Sequence, residues 1–420
     1  MSATADPAPA AASPAGSPTP WRRPAYRRLC AAVVTSEIGD WLLFIALPLY
    51  VLQASGSALN ASGVFLAELL PAVVVGTACG PLIDRRHPAG LLAALTGLQA
   101  LILLPLLWAG PGSLWLVYVV AALQAAVTSI TGPAQQAMVP LLVEQRDLSS
   151  ANATVETASN VARLIGSPLG GALLPVLGLR GLVIGDLASF VIAGALLLGC
   201  ARRTSPRRVD RRAPPAGRLA AIAEGWEVVR GSTTLRSALA ISLIASIAQG
   251  LFLVLFVLFV LRLLQAGDQV VGLLRGVQAI GGVLGGVLVA TCGRYLGARR
   301  QAVWGLLAFG LVSLVCWNSP GLTTATWWYV ALFIVVGVPA TAISAGLVTG
   351  AQQASPPARL GRVLSLNQVA IAVGQGAGIL AAGLLAATVP LGVLLDGQAS
   401  CYLICAAIAL TGFLRRPPFS

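Results

Sequence analysis

Residues 202–212 read Arg-Arg-Thr-Ser-Pro-Arg-Arg-Val-Asp-Arg-Arg, at the midpoint of a chain that is otherwise strongly apolar. About six long apolar stretches lie on either side of this segment. All 27 basic residues of the chain are arginines, and 23 of them fall in alternate gaps between the stretches. The central gap also holds Arg218, Arg230 and Arg236. Arg22, Arg23, Arg27 and Arg28 precede the first stretch, Arg85 and Arg86 follow the second, and Arg146 follows the fourth. Arg294, Arg299 and Arg300 follow the eighth, Arg359 and Arg362 the tenth, and Arg415 and Arg416 the twelfth. The intervening gaps, 54–59, 110–113, 318–323 and 388–390, carry almost no charge. Cationic loops stay on the cytoplasmic face during insertion, so the alternation predicts a multi-pass protein of the plasma (inner) membrane with both ends cytoplasmic.

Composition points the same way. Hydrophobic residues are 57% of the chain and charged residues 10%, against roughly 45–50% and about 25% in soluble domains. A bilayer core of about 30 Å needs roughly 20 apolar residues per helix, which fits six helices in each half. The expected class is therefore an all-α membrane protein of twelve transmembrane helices in two six-helix halves. The net charge of +13 is explained by topology at membrane boundaries, which removes a nucleic-acid partner and leaves attraction to the lipid bilayer.

The expected organisation is a disordered cytoplasmic tail over 1–29, an N-terminal half over 30–201 and a linker over 202–235. A C-terminal half over 236–414 and a tail over 415–420 complete it. The first twenty residues show no charged n-region and no apolar h-region, so no cleavable signal is expected. The second part of the linker, 218–229, reads as an amphipathic interfacial helix with Leu219, Ile222 and Trp226 apolar against Glu224, Glu227 and Arg230. Seven scattered cysteines lack metal-ligand or redox spacing, and no metal or cofactor is expected. Cys79-Gly80 and Cys292-Gly293 lie 213 apart, Ala134-Gln135-Gln136 and Ala351-Gln352-Gln353 217 apart, each pair at equivalent topological places. These matches indicate an internal duplication, the parallel-repeat layout of transporters that alternate access between two halves.

The loop Gly80-Pro81-Leu82-Ile83-Asp84-Arg85-Arg86 resembles, in shortened form, the G-x-L-x-D-R-x-G-R-R motif of the major facilitator superfamily. Ser36-Glu37-Ile38-Gly39-Asp40-Trp41, Val139-Pro140-Leu141-Leu142, Leu148-Ser149-Ser150-Ala151-Asn152 and Gly361-Arg362-Val363 are similar to the branch holding the enterobactin exporter and macrolide-efflux proteins. The resemblance implies alternating access, with Gly80, Asp84, Arg85, Arg86 and Arg362 forming a cytoplasmic gate. In it Asp84 would meet the start of the eleventh helix in the outward-open state. It further implies that Gly166-Ser167-Pro168-Leu169-Gly170-Gly171 is the fifth-helix motif associated with exporters, with Gly166, Pro168, Gly170 and Gly171 shaping helix contacts. One departure stands out: the fourth helix carries Gln124 where drug–proton antiporters have a mid-helix arginine.

Ionisable residues inside a bilayer are costly and mark functional sites by default. Glu37 and Asp40 share a face of the first helix, and Glu68 lies midway along the second. Burial favours the neutral form of a carboxylic acid, as a proton carrier requires. Glu156, Asn160, Arg163 and Ser167 form a polar stripe on the fifth helix. Arg163 reads as the sole arginine near mid-bilayer, with Asp40, Glu68 or Glu156 as its expected partner. Gln124, Asn160, Ser242, Ser246, Gln249, Gln278, Asn367 and Gln375 are the expected polar lining of a largely apolar cavity.

Enzyme readings find no support, because no phosphate-binding loop, metal cluster or acid–base constellation is present in the sequence. The expected function is proton-driven efflux of a moderately hydrophobic small molecule (a siderophore, antibiotic or other secondary metabolite) by a monomer. Import of a nutrient, lysophospholipid translocation and a non-transporting scaffold are the alternatives.

Overall fold

The structure, a computed structural model, describes residues 23–76, 88–143, 148–201, 226–354 and 360–413, and among these no strand occurs. The first half comprises α1 (Pro24–Ser55), α2 (Ala58–Gly76), α3 (Pro88–Leu103, continued by a 3-10 turn to Trp108) and α4 (Leu114–Leu142). The continuous helical stretch Leu148–Ala201 completes it. This last stretch is two helices. Its apolar part of 44 residues would be about 66 Å long if straight, about twice a ~30 Å hydrocarbon core. Gly178, at φ 62° and ψ 179°, breaks it, a conformation that only glycine adopts without penalty. We label its arms α5 (148–177) and α6 (179–201).

The second half comprises α7 (Thr233–Leu258, ending in a π turn at Phe259–Leu263), α8 (Asp268–Leu296) and α9 (Ala298–Asn318). α10 (Thr326–Ala354), α11 (Leu360–Leu385) and α12 (Leu391–Phe413) follow. Among the described residues ten stretches are long and apolar enough to cross a membrane, one of them the α5–α6 pair, and α2 adds a shorter apolar helix. The protein is thus an all-α bundle of twelve membrane helices, with Arg23 and Phe413, the first and last described residues, on one side.

α1 starts at Pro24, earlier than the apolar stretch implied, because proline fits the first helical position, where its missing N–H is not needed. Its first turns are stitched to their neighbours. Tyr26 donates to the Ala151 carbonyl at 2.8 Å, Arg28 to Gly199 at 3.1 Å and Arg23 to Leu142 at 3.2 Å.

Packing repeats with a step of six helices. α1 packs on α5 and α7 on α11; α2 on α4 and α8 on α10; α3 on α6 and α9 on α12. The same operation exchanges the two main contacts between halves, α5–α8 and α2–α11. At residue level Gly166 and Gly170 of α5 lie against the Ile38 and Leu42 backbones, while Gly374 and Gly378 of α11 lie against those of Leu243 and Ile247. Both pairs are spaced i, i+4, where the absence of side chains lets backbones approach closely.

One buried cluster joins the halves at the end away from the termini, drawing on α1, α2, α7, α8 and α11 among others. Toward the termini the buried clusters divide: one belongs to the first half around Tyr26, Met138 and Leu197, another to the second around Ile241, Leu306 and Tyr402. Many large apolar side chains remain exposed, including Leu101, Val191, Ile192 and Val287, as lipid-facing surfaces require. Trp108, Trp115 and Trp327 are exposed at the end away from the termini, the depth of an interfacial aromatic belt.

Candidate functional site between the halves

The fifth-helix motif presents two small faces. Gly166 and Gly170 seat α5 on α1, while Pro168 and Gly171 meet Gly272 and Gly276 of α8 in the other half. α1, α5 and α8 therefore converge near mid-membrane, and their polar side chains meet there.

Arg163 donates through Nη2 to Oε1 of Gln278 at 2.7 Å, and Arg275 donates through Nη1 to that same oxygen at 3.1 Å. Aromatic faces complete the arrangement. The Arg163 guanidinium carbon stands 5.0 Å from the Trp41 ring centre, and that of Arg275 stands 5.2 Å and 6.0 Å from Phe252 and Phe44. Such contacts stabilise a cation by about 0.5–2 kcal/mol, the upper end when desolvated. Nε of Arg163 is buried without a hydrogen-bond partner.

Two expectations are corrected here. Arg163 pairs with neither Asp40 nor Glu68; its partner among the described residues is the neutral Gln278, in the opposite half, and the side chain of Glu156 lies outside them. Nor is it alone, since Arg275 is 7% exposed at the same depth. The halves closing around Arg275 bury it, although it lies only two turns from the start of α8.

The acidic residues gather on the first half. Ser159 of α5 donates to Glu37 Oε1 at 2.8 Å. Asp40 and Glu68 are half-buried, and among the described residues no hydrogen bond reaches either carboxylate. Asp40 is close enough to feel the charges of Asp186, Glu37 and Glu68. Asp186, on α6, is a residue that sequence reasoning missed. It is 1% exposed, accepts from Ser189 at 3.0 Å and lies against Gly39, where a Cβ would overlap its carboxylate. A lone acid within an apolar stretch was the available signal.

The other expected residues divide. Gln124 is not in the space between the halves: it donates to the Gln99 carbonyl of α3 at 2.9 Å, and Gln99 reaches Thr128 at 3.1 Å. Ser246 is buried against Gly374 in the α7–α11 contact, and Ser242 is buried one turn away, so both act as helix-packing groups. Asn160, Gln249, Asn367 and Gln375 are half-buried on α5, α7 and α11. Gly80, Asp84, Arg85 and Arg86 lie outside the described residues, as do the side chains of Glu156 and Arg362. Among the described residues no group of three or more His, Cys, Asp or Glu could hold a metal ion.

Beside Arg275, on the closed side, is a narrow recess with room for about one water molecule, lined by Phe44, Phe65, Phe252 and Phe256 from α1, α2 and α7. Its walls come from both halves. Among the described residues the site thus combines carboxylates, two guanidinium groups and an aromatic recess.

The sequence model of the Major Facilitator Superfamily matches residues 29–378. The multidrug efflux pump Tap of Mycolicibacterium fortuitum is 27% identical over 306 residues, covering 69% of this chain and 73% of that protein. Macrolide efflux protein A of Streptococcus pyogenes is 26% identical over 179 residues, 41% and 43% of the two chains. Among solved structures, a bacterial homologue of the iron transporter ferroportin in its inward-facing state superposes with a TM-score of 0.71 at 17% identity, covering 92% of this chain and 98% of that one.

Proposed function

The chain belongs to the major facilitator superfamily, and on that premise we propose that it drives the efflux of a moderately hydrophobic small molecule with protons. As a member of that family it is a multi-pass membrane transporter of small molecules, seated in the lipid bilayer, and not an enzyme. The observation that carries the proton reading is the pair Asp40 and Glu68. Both carboxylates are deep in the membrane span and half-buried, and neither is hydrogen-bonded among the described residues. A carboxylate held in a fixed network could not readily exchange its proton, whereas these can.

Export is supported by the fifth-helix motif, whose small residues serve both the α1 and α8 contacts. It also accords with relatives named as efflux pumps. The arginine-rich gaps support termini on the cytoplasmic side of the plasma membrane. With that orientation, joined at one end and divided at the other, the protein stands inward-open. Substrate would enter from the cytoplasm beside Asp40 and Glu68. The cycle would then close the terminal end, where Asp84 would meet the first turn of α11 near Arg362. The working unit is a monomer.

The test uses the purified chain in proteoliposomes loaded with a pH-sensitive dye, to which ethidium, erythromycin and an aromatic carboxylate are added in turn. Proton movement on addition of at least one of them is expected. Transport of any compound without proton movement, at any imposed pH gradient, would refute the coupling.

A further inference from the structure

The two guanidinium groups are the feature that the coupling scheme leaves unused. Arg163 belongs to the first half and Arg275 to the second, yet both donate to one neutral oxygen of Gln278. Their bonded nitrogens therefore lie within about 6 Å of each other, close enough for strong like-charge repulsion in a low-dielectric surrounding. Among the described residues neither has a carboxylate partner. Burying cations without counter-charge is costly, and a transporter that keeps two of them at its interface has a use for the charge.

The geometry leaves donors available. Trp41, Phe44 and Phe252 take the guanidinium faces, so the N–H groups, which lie in the plane, remain directed sideways. Nε of Arg163 is buried and unbonded, and Arg275, more than nine-tenths buried, forms a wall of the aromatic pocket. An anion with two oxygens matches such donors in shape and charge. The neighbouring recess, walled by Phe44, Phe65, Phe252 and Phe256, is nearly closed in this state, and the apolar body of a ligand would enter it by displacing those rings. The carboxylates Glu37, Asp40, Glu68 and Asp186 are carried by α1, α2 and α6, and among the described residues the guanidinium groups bond to Gln278 instead, so the acids can serve protons while the arginines serve the ligand.

We propose that the Arg163–Gln278–Arg275 bridge and the adjoining Phe44–Phe252 pocket bind the anionic group and apolar body of an organic anion. This rests on the transporter reading and names its substrate class: amphiphilic carboxylates, sulfonates or phosphates. Because the donors come from both halves, the bound anion also neutralises the repulsion that opposes closing them together.

Three probes that share a naphthyl body and carry head groups of different charge decide the matter: 2-naphthoate, 2-naphthalenemethanol and 2-naphthylmethylammonium. They are titrated calorimetrically into the full chain in lipid nanodiscs. Naphthoate should bind about tenfold or more tightly than the alcohol, the size expected for hydrogen bonds to a charged group, and the ammonium compound least. Arg275→Gln and Arg163→Gln should each remove most of that preference, and a retained cooperative thermal transition reports that the variants are folded. If Arg275→Gln fails to fold, Arg163→Gln and Arg275→Lys carry the comparison. No naphthoate binding, equal binding of the three probes, or a preference that survives Arg163→Gln overturns the inference. Failure of the wider reading looks different: the anion preference persists in calorimetry while none of the probes moves protons in proteoliposomes.

Discussion

Gln53, in the last turn of α1, donates its side-chain amide to the carboxylate of Asp268, the first residue of α8, at 2.5 Å. The bond links the two halves at the end away from the termini. The carboxylate also sits where the partial positive charge at the start of α8 stabilises an anion. Exposure to water limits such a contact to about 1 kcal/mol, enough to shift a balanced equilibrium about fivefold but not to lock it.

The first prediction follows directly. Cysteines introduced as Gln53→Cys with Asp268→Cys should form a disulfide under mild oxidation and arrest transport until reduced. A gel-shift assay after cleaving the 202–225 linker reads the crosslink. Absence of a crosslink, or transport that continues through it, would show that this contact need not open in the cycle.

Asp40→Asn and Glu68→Gln should abolish substrate-driven proton movement while sparing exchange of labelled for unlabelled substrate, which needs no net proton transfer. The two assays are run side by side on the same proteoliposomes. Normal proton movement in both variants places the coupling group elsewhere, with Asp186 the next candidate.

Gln278 should be unusually sensitive, with opposite signs for two changes. Gln278→Leu strands two buried donors and should lower stability by about 1–3 kcal/mol. Gln278→Glu supplies the missing counter-charge and should raise the thermal midpoint of the detergent-solubilised protein. A fall in both variants would show that Gln278 matters for its shape alone.

Gly171→Leu would place a side chain against the backbones of Asp268 and Gly272. Overpacking of this kind costs about 1–3 kcal/mol, and here it would hold the halves apart, slowing transport at least severalfold. Gly286→Leu on α8 is the matched control, because nothing lies within 4 Å of its Cβ position. Equal loss in both would point to helix backbone effects and away from the α5–α8 contact.

Twelve helices were legible because each bilayer crossing needs its own apolar run, and because arginine marks every second gap. Periodicity also placed Asn160, Arg163 and Ser167 on one face of α5. It could not reveal what that face meets. Partnership between helices depends on their rotation and depth, which no spacing within one helix encodes. Arg163 therefore seemed to need a carboxylate, and the structure supplies Gln278 and Trp41 instead. Arg275 lies only two turns from the start of α8, yet the closed end of the bundle covers it. Gln124 fitted a cavity by polarity but satisfies the α3 backbone. Asp186 escaped notice because its contact, Gly39, is almost 150 positions away and has no side chain to announce it.

The facing glycines of α5 and α8 have a mechanical consequence. Side chains that interlock give a helix interface ridges, and one helix must climb them to turn against another. Where Gly171 and Pro168 cross Gly272 and Gly276 there are almost no ridges, so this crossing behaves as a bearing. Turning on it costs little and favours neither direction. The preference for one resting position must then be written in polar contacts beside it, such as that of Gln53 with Asp268, whose backbone lies against Gly171. Changes to that hydrogen bond should alter how long the protein waits on each side, and changes to the glycine faces how fast it swings.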